Sequence, residues 1–396
     1  MNLTLPLPRA RYGLDGWLSA AAAVLLLWGL LMVASASVAQ AEKMTGDAFY
    51  YFYRQLFFCA LGLTVGGIVF CVPTVLWQRS GGLLLVLALI LLLVVLVPGI
   101  GLKVNNARRW IDLEVFRLQA SEPARLALII YLASYIARRQ LELQHSFRGL
   151  IKPLLLMLLP CALLLAEPDF GATAILLAVA FLMLFLGGAR LLNFGAFLGV
   201  AAAGMAALAL AAPYRVKRLL NFTDPWTDIE NGGWQLAQSL IAVGRGEWTG
   251  VGLGNSVQKL LYLPEMHTDF IFAILAEELG LVGVAALLAL FALLVSRAFV
   301  IGRVAERSGR LFQGFLCYGL GGWLGVQALI NMAVNMGLLP TKGLTLPLLS
   351  YGGSSLITVC AMLGLILRVD YENRAARGVA APVERRLRLE MGEALS

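Results

Sequence analysis

Long apolar runs, separated by short polar stretches, are the dominant pattern along the chain. The clearest runs cover 17–38, 83–97, 154–166, 172–186 and 281–295. Apolar runs of about 20 residues are typical of transmembrane helices, and prolines such as Pro73, Pro98 and Pro213 stand where several of them end. Because lipid offers no partner for open backbone groups, each segment that crosses the membrane has to be a helix.

These runs predict an all-α polytopic membrane protein with ten transmembrane helices. The predicted spans are 17–38, 54–72, 82–98, 122–138, 152–166, 171–187, 191–212, 269–296, 311–335 and 350–368. A large outer loop, 213–268, joins the seventh and eighth spans, and a cytoplasmic tail follows at 369–396. We interpret 1–396 as a single membrane domain.

Composition and charge agree with this picture and exclude a nucleic-acid binder. The chain is 60% hydrophobic and 14% charged, with a mean hydropathy of +0.82, whereas a soluble domain carries about a quarter charged residues. The net charge of +8 comes without the basic stripe and stacking aromatics of a nucleic-acid-binding surface. Most of the 31 Lys and Arg residues fall on the side that holds both chain ends, so both termini are expected in the cytoplasm.

The outer loop 213–268 is unusually rich in tryptophan and glycine. Trp226, Trp234 and Trp248 lie in it, together with a cluster of glycines between 244 and 254. Loops of this length are uncommon unless they are functional, and flexible linkers are seldom so aromatic. The stretch 234–243 predicts a short helix that lies in the membrane interface.

The strongest candidate for chemistry is Asp269, in the sequence YLPEMHTD that ends the outer loop. A carboxylate where a loop meets the membrane is partly desolvated, and desolvation makes it a better proton acceptor. Asp269 could instead cap the eighth span, with Thr268 as a rival cap, and the residues alone leave both interpretations open. Nearby His267 could orient a substrate, while Asp269 together with a phosphate could hold Mg²⁺ or Mn²⁺.

Charged residues in two other places need partners or ligands. Glu277 and Glu278 fall inside the eighth span, where acids are costly, and we favour a buried ion pair or hydrogen bond for them. Arg109 and Arg125 lie on the outer side, against the positive-inside trend, and arginine forks suit phosphate oxygens. The alternative is that these arginines pair with acidic neighbours, namely Asp112, Glu114 or Glu122.

Two polar features mark the last two spans. The ninth span has side chains with polar groups at every fourth position, on one helical face, and we favour hydrogen bonds to neighbouring helices over substrate contact. These residues are Trp323, Gln327, Asn331 and Asn335. The stretch 337–355 holds two prolines and four glycines, and such broken backbone must be buried or line a cavity. It leads into the tenth helix, whose N-terminus would attract an anion.

Five motifs together resemble the SEDS family (shape, elongation, division and sporulation) of bacterial cell-wall polymerases. They are NNARRW at 105–110, EPDFG at 167–171, FTDPW at 222–226, YLPEMHTDFIFA at 262–273 and GLLPTKGLTLPLLSYGGSS at 337–355. The resemblance covers nearly the whole chain, and its PTKG and YGGSS forms are closer to the cell-division members than to the elongation members. It implies a peptidoglycan glycosyltransferase that joins lipid II, an undecaprenyl-pyrophosphate-linked disaccharide-pentapeptide, into β-1,4 glycan strands on the outer face of the inner membrane.

The resemblance also implies roles for individual residues. The family's essential aspartate falls on Asp269, as general base or metal-assisted carboxylate in an inverting transfer, and no organic cofactor is implied. The family's Glu-x-x-Lys falls on Glu122 and Arg125, a departure because arginine cannot act as a deprotonatable amine. The residues expected to bind substrate are Arg109, Trp110, Glu122, Arg125, Lys259, His267, Lys342, Ser350 and Gly353.

A location and a set of partners follow from the same resemblance. It implies the division septum, with membrane lipids, lipid II, a class B penicillin-binding protein and other division proteins as partners, and no nucleic acid. Two rival functions stay open. One is a lipid II flippase, which the broken stretch 337–355 would suit, and the other is a non-catalytic scaffold for division proteins. Against a flippase, the polar residues cluster on the outer side without a cytoplasmic counterpart.

Overall fold

The computed structural model is a bundle of α-helices with one small sheet at its outer end, by which we mean the end that carries Asp269. It describes residues 13–104, 107–114, 116–189, 233–340 and 343–393, plus a few isolated positions between 190 and 232. The helices are α1 Gly16–Thr45, α2 Tyr50–Cys71, α3 Thr74–Arg79, α4 Gly81–Leu96, α5 Ser121–His145, α6 Phe147–Ala166, α7 Phe170–Leu186, α8 Trp234–Arg245, α9 Ile271–Arg307, α10 Leu311–Asn335 and α11 Gly353–Glu393. The predicted seventh span, 191–212, lies largely outside the described residues, as do most of 213–232 and Lys342.

Six helices in the described ranges are long and apolar enough to cross a membrane, namely α1, α2, α6, α9, α10 and α11. Helices α4 and α7 are apolar but shorter, with 16 and 17 residues. Helix α5 coincides with the predicted fourth span and is largely buried by its neighbours. The chain is therefore a multi-pass membrane protein, while the count of ten spans stays a prediction. Helix α8 confirms the short helix predicted in the outer loop.

The all-α expectation is wrong for the segment between α4 and α5. Strands β1 Gly101–Val104, β2 Ala107–Asp112 and β3 Arg117–Gln119 form an antiparallel sheet in the order β1-β2-β3. Open strand edges are excluded only inside lipid, and this segment lies beyond the helix ends. Trp110 of β2 pairs with Leu102 and with Gln119. The backbone N–H of Gln119 donates to Ser354 Oγ at 2.9 Å, and this bond connects the sheet to the start of α11.

Helix α9 is broken near its outer end at Gly280. The φ of 63° and ψ of −162° there belong to a region that is essentially reserved for glycine. Backbone hydrogen bonds join the segment 247–252 to both sides of the break. They run from Val251 N to Glu277 O (3.0 Å), Gly252 N to Glu278 O (3.0 Å), Leu281 N to Glu247 O (2.9 Å) and Val282 N to Trp248 O (3.1 Å). The backbone groups around the break thus find partners inside the protein, as a lipid environment requires.

The two acids beside this break are both paired, which confirms the favoured interpretation of Glu277 and Glu278. Glu277 accepts a hydrogen bond from Arg245 at 2.9 Å. Glu278 accepts from Lys259 and from Ser35, each at 2.9 Å. Both carboxyls are fully buried, where an unpaired charge would be costly. The pairs therefore fasten the end of α8 and the segment after it to α9 and, through Ser35, to α1.

We predict that Gly280→Ala destabilises the protein. A Cβ there would lie 2.6 Å from Trp248 C and 2.7 Å from Gly246 O, and alanine disfavours this backbone conformation, so we expect a loss of about 1–3 kcal/mol. Gly67→Ala in α2 is the control, because a Cβ there meets nothing within 4 Å. Thermal unfolding in detergent should show a lower Tm for Gly280→Ala alone; equal Tm values for both variants would contradict the prediction.

Candidate active site

Asp269 lies in a tight turn just before α9 and does not cap that helix. Helix α9 begins at Ile271 without a side-chain cap. The Thr268 hydroxyl donates instead to the carbonyl of Glu265 at 3.1 Å and to its carboxylate at 2.7 Å. Both cap interpretations, for Asp269 and for Thr268, are therefore wrong. Since the turn closes without it, the Asp269 side chain is available for chemistry.

Two side chains of α10 hold the backbone of Asp269 in place. Asn331 and Asn335 donate to the Asp269 carbonyl at 2.9 and 3.0 Å, and Asn331 also donates to the carbonyl of Leu344 at 2.6 Å. The polar face predicted on the ninth span thus makes hydrogen bonds, as favoured, although these bonds go to loop backbone rather than to a neighbouring helix. They place the Asp269 turn beside the broken stretch that contains Leu344.

Asp269 as a whole residue is partly exposed, and its carboxylate lies over the backbone of Gly343. A Cβ added to Gly343 would be 2.9 Å from Asp269 Oδ2. Burial, reinforced by the negative charge of Glu265, raises the pKa of Asp269 to about 7, although the positive charge of Arg109 opposes the rise. A carboxyl that titrates near neutral pH suits general base catalysis.

Arg109 reaches this region from strand β2. Its Nε donates to the carbonyl of Glu167 at 3.1 Å, and its Nη2 donates to the carbonyl of Pro168. Neutral carbonyls hold the guanidinium, and no carboxylate among the described residues forms an ion pair with it. Arg109 is not paired with Asp112 or Glu114, so the alternative interpretation does not hold for this arginine. Trp110 follows it in β2 and is partly buried.

Glu167 opens the EPDFG motif, and its residue type and spacing did not predict a role for it. It is fully buried, and neither carboxyl oxygen has a hydrogen-bond partner among the described residues. Burial and the charge of Asp169 raise the pKa of Glu167 to about 9, with Arg109 opposing. With this pKa Glu167 is uncharged near pH 7, so its carboxyl does not offset the charge of Arg109. The signals for it in the sequence are its place in the EPDFG motif and a second acid, Asp169, two residues later.

The predicted pair Glu122 and Arg125 lies inside the bundle. The Arg125 guanidinium is in a buried ion pair with Glu122 and stacks over the Trp323 ring, 4.5 Å from its centroid. Only 1% of Arg125 is exposed. Arg125 is thus paired with a neighbouring acid, Glu122, as the alternative interpretation stated.

The remaining predicted site residues have packing contacts of their own. Lys259 is in the ion pair with Glu278 described above. His267 is buried between two tyrosine rings, with centroids 4.4 Å away at Tyr51 and 5.5 Å away at Tyr351, and burial lowers its pKa to about 4. Ser350 Oγ accepts from the Leu346 amide at 2.8 Å, and Gly353 packs against the Phe58 ring. Lys342 lies outside the described residues.

Metal-binding groups are sparse around Asp269. Within the described ranges, no three His, Cys, Asp or Glu side chains come together in a way that could hold an ion. These side chains therefore do not form an all-protein Mg²⁺ or Mn²⁺ site, since such ions need several oxygen ligands.

Comparison with known proteins identifies the family. Residues 17–375 match the model of the FtsW/RodA/SpoVE cell cycle proteins. The chain belongs to this family. It is 51% identical over 359 residues to the probable peptidoglycan glycosyltransferase FtsW of Thioalkalivibrio sulfidiphilus, covering 91% of this chain and 90% of that protein. It is 53% identical over 360 residues to its counterpart in Nitrosococcus halophilus, covering 91% and 93%.

Solved structures of the family have the same fold. A chain of a peptidoglycan synthase complex that coordinates polymerization and crosslinking aligns with a TM-score of 0.74 and 30% identity, over 92% of this chain and 99% of that one. The rod shape determining protein RodA of Thermus thermophilus aligns with a TM-score of 0.68 and 29% identity, over 92% and 98%. The resemblance inferred from the motifs is thereby confirmed.

We predict that Gly343→Ala impairs activity while the protein stays folded. The new methyl would lie 2.9 Å from Asp269 Oδ2 and would displace the carboxylate, and displacements of about 1 Å can cost up to 10²-fold in rate. Gly244→Ala in α8 is the control, since a Cβ there meets nothing within 4 Å. Polymerisation rates of lipid II should separate the two variants; a wild-type rate for Gly343→Ala would show that the carboxylate position is unimportant.

Proposed function

We propose that this chain is a peptidoglycan glycosyltransferase that polymerises lipid II for septal wall synthesis, with Asp269 as its catalytic carboxylate. Family membership and the names of its relatives support the activity. The observation that carries the assignment to Asp269 is its carboxyl with a pKa of about 7, lying over Gly343 and within the field of Arg109. A base that titrates near the working pH is the most efficient kind.

The proposed reaction is a single inverting displacement. The Asp269 carboxylate takes the proton from a hydroxyl of the acceptor sugar, and that oxygen attacks the anomeric carbon of the donor. The bond from this carbon to the pyrophosphate breaks, so that an α-linked donor becomes a β-1,4 linkage. Arg109 stabilises the negative charge that develops on the leaving pyrophosphate. Arg125 and Lys259 already neutralise Glu122 and Glu278, so we assign this task to Arg109, with Lys342 as a further candidate.

A divalent cation would bind at Asp269 only together with the substrate. Asp269 supplies a single carboxylate, so Mg²⁺ or Mn²⁺ would be shared between it and the pyrophosphate oxygens. Such an ion would supply charge stabilisation for the leaving group.

The proposed setting is the bacterial inner membrane at the septum, with both termini in the cytoplasm. A class B penicillin-binding protein would cross-link the new strands, and the likeness to a chain of a peptidoglycan synthase complex supports such a partner. Lipid tails of the substrate would stay in the bilayer, and other division proteins would localise the pair.

We predict that Asp269→Asn lowers lipid II polymerisation by about 10²–10⁴-fold, as expected for loss of a positioned base. The assay uses the full-length chain in lipid vesicles with its proposed transpeptidase partner and externally added lipid II, and glycan products are separated on a gel. Asp47→Asn is the control, an exposed aspartate between α1 and α2. Because lipid II is supplied on the outside, product formation by the wild type requires no flipping. A wild-type rate for Asp269→Asn would overturn the catalytic assignment, and no product from any form would favour a flippase or a scaffold.

We predict that the polymerisation rate rises with pH through about 7 and then levels off, because the base acts in its deprotonated form. Glu265→Gln removes a negative charge that raises the pKa of Asp269, so the rising limb should move to lower pH. Glu42→Gln changes an exposed acid at the end of α1 and should leave the limb in place. Initial rates measured between pH 5.5 and 9 test this, and an unchanged limb in Glu265→Gln would contradict it.

A further inference from the structure

The amide side chains on one face of α10 are too deeply buried to be ordinary surface polar groups. Gln327, Asn331 and Asn335 are 1%, 2% and 0% exposed, and they recur at intervals of four on a membrane helix. A buried amide without partners costs free energy. What these side chains bind therefore decides why the helix carries them.

Their partners are backbone carbonyls of the two outer segments that form the active site. Asn331 Nδ2 donates to the Asp269 carbonyl at 2.9 Å and to the Leu344 carbonyl at 2.6 Å. Asn335 adds a second bond to the Asp269 carbonyl at 3.0 Å. Helix α9 begins only at Ile271, and the first hydrogen bond of its opening turn goes to the carbonyl of Phe270. The Asp269 carbonyl thus lies outside the helical ladder and depends on the two asparagines.

Gln327 extends this arrangement by one turn and has a fixed orientation. Its Oε1 accepts from the Trp323 indole at 2.6 Å, which turns its Nε2 toward the carbonyl of Thr345 at 2.9 Å. Trp323 in turn lies under the Arg125 guanidinium. The amide of Gln327 is therefore oriented from within the bundle.

The two carbonyls on Asn331 belong to the segments that meet at the catalytic carboxylate. Leu344 follows Gly343, over which Asp269 Oδ2 lies. We propose that Asn331 is a positioning residue: one amide, bound to both carbonyls, fixes the Asp269 carboxylate against the Gly343 backbone, with Asn335 as a second anchor. This inference rests on the proposed function, since it gives Asn331 its effect through Asp269.

The test variant is Asn331→Leu, which keeps the approximate volume of the side chain and removes its donor. We expect kcat for lipid II polymerisation to fall by 10-fold or more with KM changed less than 3-fold, because the carboxylate moves while substrate contacts remain. The rising limb of the pH profile should also shift to lower pH, because a loosened turn admits water to the carboxyl.

The matched control is Asn373→Leu at the opposite end of the bundle. Asn373 is also buried and donates from its side chain to the carbonyl of Ile301 in α9 at 3.0 Å. Its loss should lower Tm as Asn331→Leu does, while kcat and the pH limb stay as in the wild type. Equal loss of kcat in both variants, or a wild-type kcat and limb in Asn331→Leu, would overturn the inference.

The same substitution in an Asp269→Asn background separates this inference from the proposed function. Asn331→Leu should add less than a 3-fold further loss there, since no catalytic carboxylate is left to position. A full independent loss would refute a role through Asp269. If Asp269→Asn alone keeps the wild-type rate, the catalytic assignment fails; if it is inactive and Asn331→Leu is not impaired, only the positioning role fails.

Should Asn331→Leu not fold, Asn335→Ala removes the second anchor alone and must show the same kcat loss and limb shift in smaller degree.

Discussion

Where the chain of a membrane protein departs from a helix, its backbone N–H and C=O groups lose their helical partners. They have to find others in the protein itself, because lipid offers none. Among the described residues, two places where this applies are the Gly280 break in α9 and the turn around Asp269 and Leu344. At the break, the segment 247–252 supplies the hydrogen bonds. Around Asp269 and Leu344, the asparagines of α10 supply them. The geometry of the outer end follows from these two solutions.

The chemistry of the site depends on how charges are distributed by this scaffold. Arg125 and Lys259 are neutralised by Glu122 and Glu278 and hold the bundle together. Arg109 is held by neutral carbonyls instead, and burial raises the pKa of the neighbouring Glu167. An arginine fixed in this way keeps its charge for a ligand. The sheet that carries it is what brings this charge close enough to Asp269 to oppose the rise in its pKa.

The sequence predicted the helices well because hydrophobic length is a strong signal, and the described helices cover nine of the ten predicted spans. It did not reveal the sheet at 101–119, since three strands of three to six residues lack the length for a clear alternation. Asp269 was found from its place at a loop end. The sequence did not show that Lys259 pairs with Glu278 or that Glu167 is buried. Residue types along a chain do not state which side chains meet in space.

The same contacts bear on the choice between an enzyme and a flippase. Alternating access needs one part of a transporter to move against another around the substrate. Here four backbone hydrogen bonds and the pairs of Glu277 and Glu278 join the outer segment to α9 and α1. Asn331 joins α10 to both segments of the site. Opening the outer end would break these bonds in a setting where lipid cannot replace them. A site held together in this way favours an enzyme over a transporter that alternates access.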